Sequence, residues 1–279
     1  MNMIDLHIHT NASDGSDSVP ELLAHLQDAG IDTFAVTDHD TIDAAVTMEE
    51  LLPSGMRYVK GVEFSCITPL RKCHLLGYCY DEADPQLNAA LQEGAALRRK
   101  KLEGRLAYLR ETYQIEFTEE ELTWLHSQKS PGKPHIADLL LKRGVGTDRN
   151  DLIQNFIRGT SSGSDRITAQ MAVSGILHAG GIPVWAHPLG GEGEKLLSGE
   201  AFEEQLHYLI QCGIRGLECY YSRYTEEQVS FLCAAAEKHS LLISGGSDYH
   251  GSRKNIALGT LNAYHAPVNE AQLTILREL

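Results

Sequence analysis

Long hydrophobic runs, paired cysteines and an excess of positive charge are all missing from this sequence of 279 residues. No apolar stretch approaches the roughly 20 residues that cross a bilayer, so a membrane partner is not expected. The amino terminus has neither a basic region nor a long apolar segment, which argues against a signal peptide. The six cysteines form no CxxC motif. We therefore expect reduced thiols and a cytoplasmic protein.

Negative charge dominates the sequence, with 38 Asp and Glu against 24 Lys and Arg and a formal net charge of −14. Such a surface repels phosphate backbones, so duplex nucleic acid is not expected as a partner. Metal ions bound by some of the carboxylates would weaken that argument. Apolar residues make up 42% and charged residues 22%, which excludes a disordered or collagen-like chain.

Short apolar strands alternate with helical segments at both ends of the chain. Residues 4–9 alternate apolar and polar side chains, which predicts a strand. Ser18 and Glu21 are typical of a capping box that opens a helix, and Gly30 is placed to end it. Strands that alternate with helices imply an α/β fold with a parallel sheet and right-handed crossovers. We assign residues 1–84 and 165–279 to this domain.

The middle of the chain, residues 85–164, differs from the rest in composition and in the spacing of its apolar residues. It is rich in Leu, Ala, Glu, Lys and Arg at helical spacing and contains few strand signals. We predict a helical insertion that covers the site and selects the substrate. Its basic run, Arg98 to Lys101, is typical of a solvated helix face.

Nearly every predicted strand is followed or ended by His, Asp or Glu. In a parallel α/β barrel the carboxyl ends of the strands lie on one face, so these side chains would converge. In two pairs, His7 with His9 and Asp248 with His250, the residues are two positions apart. On a strand, this spacing puts both side chains of a pair on the same face. Asp14, in the turn after the first strand, completes the set. The candidate ligands are His7, His9, Asp14, His39, Glu63, His74, His187, Asp248 and His250.

Six imidazoles and three carboxylates are more ligands than one tetrahedral ion needs. This donor set suits Zn, Mn or Fe rather than Mg or Ca, and it would serve two or three divalent ions. Glu63 is a candidate bridging ligand, since a carboxylate offers one oxygen to each of two metals. Such ions lower the pKa of bound water towards roughly 7.

At these residues the sequence resembles the PHP (polymerase and histidinol phosphatase) family. The matching motifs occur in the family's order and together span Asp5 to His250. They are Asp5-Leu6-His7-Ile8-His9-Thr10, Ser13-Asp14-Gly15, Thr37-Asp38-His39-Asp40, Gly61-Val62-Glu63, His74-Leu75-Leu76-Gly77, Ala186-His187-Pro188 and Gly246-Ser247-Asp248-Tyr249-His250.

The resemblance implies a distorted (β/α)7 barrel with a trinuclear metal site that hydrolyses phosphate esters. One ion would take His7, His9, Glu63 and Asp248. A second would take Asp14, His39 and His250. A third would take Glu63, His74 and His187. Together with the ligand chemistry, this implies in-line attack on phosphorus by a hydroxide held between the metals. Three further carboxylates, Asp5, Asp38 and Asp40, would orient ligand imidazoles or simply be solvated.

Asp14 stands where histidinol-phosphatase-like members of the family usually carry His. With the helical insertion, it indicates the branch that acts on nucleotides. The substrate expected is a nucleoside monophosphate, a 3′,5′-bisphosphate or a cyclic phosphate. Three alternatives remain open: a 5′→3′ exonuclease on short RNA, a histidinol-phosphate phosphatase, and a non-catalytic metal-binding module.

Cationic side chains should complete the site, because Arg matches phosphate oxygens in a bidentate fork. Our candidates for binding and catalysis are Arg158, in a Gly/Ser-rich stretch, and Arg223, after a predicted strand. Lys133, a third candidate for binding the substrate phosphate, and His135 belong to a Lys-Pro-His run that resembles an Arg-Pro-His element of the nucleotide branch. His135 would contact substrate or protonate the leaving group, or would merely begin a helix.

Overall fold

A nearly closed barrel forms the body of the protein in the computed structural model, which describes residues 3–157, 165–191 and 195–279. The seven barrel strands are hydrogen-bonded in the order β1-β2-β3-β4-β6-β7-β8, and β5 pairs with the end of β3. The strands are β1 Met3–Ile8, β2 Ile31–Val36, β3 Arg57–Ile67, β4 Lys72–Tyr78, β5 Ile167–Thr168, β6 Ile182–Ala186, β7 Gly216–Tyr221 and β8 Leu242–Gly246. The expected (β/α)7 barrel is confirmed.

Helices cover the outside of the barrel, and their ends follow ordinary capping chemistry. The backbone N–H of Ser18 donates to Oε2 of Glu21 at 2.8 Å, and Gly30 ends the first helix at φ 70°. The helices are α1 Val19–Ala29, α2 Ala44–Leu51, α3 Pro85–Tyr113, α4 Glu119–Ser127, α5 Lys133–Lys142, α6 Arg149–Asp151, α7 Ala169–His178, α8 Gly199–Cys212 and α9 Glu226–Lys238. In the described part of the chain, none is both long and apolar enough to cross a membrane.

One barrel strand runs opposite to the expected direction. β4 is antiparallel to both of its neighbours, β3 and β6, whereas the other neighbouring pairs are parallel. A tight turn at residues 68–71, in which Thr68 N–H donates to the carbonyl of Arg71 at 2.9 Å, reverses the chain after β3. His74 therefore reaches the common rim from the beginning of its strand. Glu63 lies within β3, because that strand continues beyond the rim to form the hairpin.

Between β4 and β5, residues 85–157 form helices, α3 to α6 among them, and the loops that connect them. The first half of α3 packs into the barrel core through Leu87, Ala90 and Leu91. Its second half contributes Leu102 and Leu109 to a separate apolar cluster with α5. α3 thus connects two cores, and the division of the chain at residues 84 and 85 into two domains stays a prediction.

Candidate metal centre

The nine predicted ligand side chains meet at one rim of the barrel. They come from β1, β3 and β4 and from the loops after β1, β2, β6 and β8. Each of them has a nitrogen or oxygen within 3.4 Å of such an atom of another member. Tertiary structure therefore brings together residues spread over most of the chain.

The innermost group surrounds the Nε2 atoms of His7 and His9, which are 3.1 Å apart. Oε2 of Glu63 lies 3.3 and 3.1 Å from these two atoms. Oδ1 of Asp248 lies 3.6 and 3.4 Å from them. Ligand atoms about 2.1 Å from a tetrahedral ion are about 3.4 Å apart. The spacing fits one four-coordinate ion held by these four residues.

A second group surrounds Asp14. Its Oδ1 is 3.2 Å from Nε2 of His250 and 3.8 Å from Nδ1 of His9, and its Oδ2 is 3.9 Å from Nε2 of His39. Oδ1 of Asp14 and Nδ1 of His39 are buried, and despite short distances to neighbouring ligands neither makes a hydrogen bond of good geometry with a described residue. Buried polar atoms are normally paired, so this group fits a bound cation.

Glu63 connects these groups to a third. Its Oε2 faces the innermost group and lies 3.1 Å from Nδ1 of His39. Its Oε1 lies 2.8 Å from Nδ1 of His74 and 3.2 Å from Nε2 of His187. Burial alone would raise the pKa of Glu63, but His39, His74 and His7 hold it well below its usual range. An ionised carboxylate in this position fits a bridging ligand.

The backbone at the rim adopts conformations that side chains rarely favour. His187 and Asp248 have positive φ angles of 29° and 59°, in or near the left-handed region. Gly246 passes so close to β1 that a Cβ on it would lie 2.2 Å from Cβ of His7. Such positions persist where the surrounding structure enforces them, often at functional sites.

Glu218 on β7 is a buried site residue that sequence reasoning missed. Its Oε1 lies 2.8 Å from Nδ1 of His7, and its Oε2 accepts the backbone N–H of His187 at 2.6 Å. It thereby orients one ligand imidazole directly and another through the backbone. The sequence signal for this role was a carboxylate within an otherwise apolar strand. A buried carboxylate needs a polar partner, so its presence there indicates a site residue.

Glu218→Gln should lower metal affinity by about 10- to 100-fold, because an amide cannot accept at both of its terminal atoms. Metal content after equilibrium dialysis against graded Zn²⁺ measures this effect. Glu237→Gln, which changes an exposed carboxyl on α9, is the matched control. Equal affinities in the two variants would contradict the positioning role of Glu218.

The three other predicted supporting carboxylates are all buried and hydrogen-bonded. Asp5 accepts the backbone N–H groups of Ser247 and Gly259, at 2.9 and 2.8 Å. It therefore fixes the chain before Asp248 rather than an imidazole. Asp38 accepts from Thr10 and Ser13 and so holds the turn that carries Asp14. Asp40 accepts from Arg98 and from the backbone of Ser65.

A cationic wall lines the same cavity as the ligand cluster, in a volume of about 310 Å³. The prediction that the basic run from Arg98 to Lys101 is a solvated helix face was correct for only two of its four residues. Arg99 and Lys100 are exposed, but two members of that run turn inward, because α3 presents one side to the barrel. The wall consists of Arg98, Lys101, Arg105 and Arg166.

Several polar atoms of the cationic wall lack hydrogen-bond partners among the described residues. Arg98 is anchored, since its Nε donates to Oδ2 of Asp40 at 2.9 Å. Nε and Nη1 of Arg166 and Nε of Arg105 are buried, and no hydrogen-bond acceptor reaches them in the described ranges. Burial, with the neighbouring Arg166 and Arg98, lowers the pKa of Lys101 to about 6. Buried cationic groups are costly unless paired, so the wall fits an anionic ligand.

Three other cations around the cavity, Arg149, Arg253 and Lys254, have carboxylate partners. Arg149 and Arg253 both pair with Asp138, at 2.6 and 2.9 Å. Lys254 lies 2.6 Å from Oδ2 of Asp248. Asp138 and Asp248 thus offset part of the positive charge of Arg149, Arg253 and Lys254.

The predicted phosphate-binding residues fall in three different places. Lys133 lines the cavity. Arg223 is exposed and does not belong to the described lining of the cavity. Arg158 lies outside the described residues. The roles given to Arg158 and Arg223 therefore stay predictions, and the phosphate-binding groups that the geometry favours are those of the cationic wall.

His135 is buried beside the cavity rather than lining it. Its Nδ1 accepts the backbone N–H of Gly132 at 3.1 Å. Burial and the nearby Arg253 lower its pKa to about 4, so the ring is neutral at pH 7 and is a poor proton donor. This geometry favours the structural alternative, in which His135 holds the start of α5.

Comparison with known proteins gives consistent similarities. The sequence model of the PHP domain matches residues 5–136. The phosphoribosyl 1,2-cyclic phosphate 1,2-diphosphodiesterase of Eggerthella lenta is 28% identical over 257 residues, covering 88% of this chain and 94% of that protein. The 5′-3′ exoribonuclease Rnm of Escherichia coli is 29% identical over 262 residues, covering 91% and 87%.

A solved structure gives the same result at the level of the fold. A Bifidobacterium adolescentis protein described as a metal-dependent phosphoesterase has a TM-score of 0.82 and 25% identity, over 99% of this chain and 96% of its own. The barrel, the donor cluster and the resemblances thus agree on a divalent-metal site.

Proposed function

We propose that this chain, whose residues 5–136 match the sequence model of the PHP domain, is a metal-dependent phosphoesterase for small, highly anionic phosphate esters, nucleotides above all. The observation that carries the proposal is the shared cavity. Seven of the nine candidate metal ligands and the cationic wall line one cavity of about 310 Å³, within the size range of small-molecule sites. The hydrolases among the relatives support the same class of reaction.

The donor groups favour two or three transition-metal ions, of Mn, Zn or Fe, rather than Mg or Ca. When bound, such ions act as Lewis acids and lower the pKa of water. The chain itself holds the ester in place. Arg166, Lys101 and Arg105 would donate to non-bridging phosphate oxygens. Arg98, held by Asp40, would fix the orientation of the phosphate.

The substrate should carry more than one negative charge. The three arginines of the cationic wall offer more positive charge than a phosphate diester with one negative charge needs, and Asp40 pairs with one of them, Arg98. Small nucleotides with two phosphate groups meet this requirement, and so does a cyclic phosphate ester that carries a second phosphate group. The overall charge of −14 favours a small anion that enters the cavity over a long polyanion on the surface.

Exonuclease action on short RNA is the second candidate. It is favoured by the similarity to the Escherichia coli exoribonuclease and by the further cations Lys133 and Arg149 at the same cavity. A strand leaving the site could pass along these groups. Both candidates require the same metal-binding residues.

Phosphate release by the Mn-loaded protein tests the proposal. The substrates are AMP, adenosine 3′,5′-bisphosphate, 2′,3′-cyclic AMP, histidinol phosphate and a 5′-phosphorylated oligonucleotide. The cyclic ester and the oligonucleotide are followed by chromatography, since neither ring opening nor removal of nucleotides releases free phosphate. We expect the best turnover on one of the nucleotides. Shortening of the oligonucleotide alone would establish the nuclease. Preference for histidinol phosphate would overturn the assignment from Asp14, and metal binding without turnover would favour the binding module.

A further inference from the structure

A second group of metal-binding side chains lies on the outer helices, away from the barrel cavity. We propose that Glu203, His207 and His239 form a surface site for one divalent transition-metal ion. Glu203 and His207 are four residues apart on α8, so they share one face of that helix. His239 directly follows α9. None of the three lines the barrel cavity.

The donor atoms of these residues are close enough to share an ion. One ligand atom from each lies within 4.8 Å of the others. Nε2 of His239 and Oε2 of Glu203 are 3.9 Å apart, too far for a hydrogen bond. Bonds of about 2.0–2.1 Å allow two ligands of one ion to stand up to about 4 Å apart. His207 is exposed, so a change of rotamer can complete the set.

Other contacts do not account for the inward-facing atoms. Nε2 of His239 and Oε2 of Glu203 are both buried, and neither has a hydrogen-bond partner in the part of the chain that the structure describes. Lys238 lies 3.5 Å from the other oxygen of Glu203 and is itself 62% exposed. That pair is weak and leaves Oε2 unused. A cation between Glu203 and His239 satisfies both buried atoms at once.

Two imidazoles and one carboxylate define the class of metal. Imidazole nitrogen suits Zn²⁺, Ni²⁺ and Cu²⁺, whereas Mg²⁺ and Ca²⁺ prefer oxygen ligands. The exposed position of His207 leaves room for water to complete the coordination. Because the ligands belong to α8 and to the residue after α9, the ion would link these two segments and stabilise their packing.

Metal content with Zn²⁺ as the probe tests this site in the full-length protein. Wild type, His207→Ala and His239→Gln are equilibrated with the same free Zn²⁺ and analysed by mass spectrometry for zinc per chain. The control is His126→Ala, because His126 lies 2.7 Å from Glu103 but belongs to no group of three donors among the described residues. We expect one equivalent less in both test variants and no change in the control.

Thermal unfolding provides the second readout. Added Zn²⁺ should raise the midpoint of His207→Ala less than that of wild type or His126→Ala, since an ion that binds only the folded state stabilises it. Phosphate-ester hydrolysis by His207→Ala should stay within about twofold, as expected for an exposed residue outside the cavity. Equal zinc content and equal midpoint shifts in all four proteins would overturn the proposal and leave the barrel site unaffected.

Discussion

Glu63→Gln is expected to abolish most metal binding and to lower phosphate-ester hydrolysis by about 10³-fold or more, because bound metals supply several kcal/mol of transition-state stabilisation. The reason lies in the position of the carboxylate. Oε2 and Oε1 face different imidazole groups, at 3.1 Å from His39 and 2.8 Å from His74. The neutral amide loses the negative charge and one acceptor atom, so both sides of the centre are weakened together.

Metal content and turnover should be measured on the same preparations of this variant. Glu49→Gln is a suitable control, since Glu49 is a half-exposed carboxylate whose partner is Lys60 on the same strand as Glu63. That control should retain full metal content and activity. If Glu63→Gln kept its metals but lost turnover, Glu63 would act on the substrate rather than as a bridging ligand.

Arg166→Met should lower kcat/KM by about 10²-fold while metal content stays unchanged, because a hydrogen bond to a charged group contributes about 1.5–3 kcal/mol. Nε and Nη1 of Arg166 are buried in the described structure without a hydrogen-bond partner, so the substrate phosphate is the natural acceptor. The same variant should unfold at a higher temperature, since it removes a poorly paired buried cation. Arg166→Lys should recover part of the activity, because it keeps the charge but not the fork.

Arg223→Ala is the decisive comparison for Arg166→Met. Arg223 is exposed and is not part of the described cavity lining, so this substitution should leave kcat/KM within about twofold. A large loss in Arg223→Ala with little effect in Arg166→Met would restore the clamp predicted from the sequence. It would also show that the cationic wall does not contact the phosphate.

The direction of β4 shows where a local pattern stops being informative. The apolar run after His74 correctly predicts a strand, but period-two alternation is the same in either direction along a strand. The four-residue turn after β3 and pairing with β6 determine the antiparallel course. His74 still reaches the rim, because the amino end of a reversed strand lies beside the carboxyl ends of its neighbours.

The candidate ligands, their order and the strands beside them could be proposed from the sequence alone, because each motif is local: a strand period, a capping box, an imidazole at a strand end. Only the tertiary structure decided which charges face the cavity. Arg98 and Arg99 are neighbours, yet one lines the cavity and the other is exposed. Glu218 likewise gained its role from His7, 211 residues away. A charge costs little in water and much in the interior, so its role depends on burial and distant partners, which no local pattern contains.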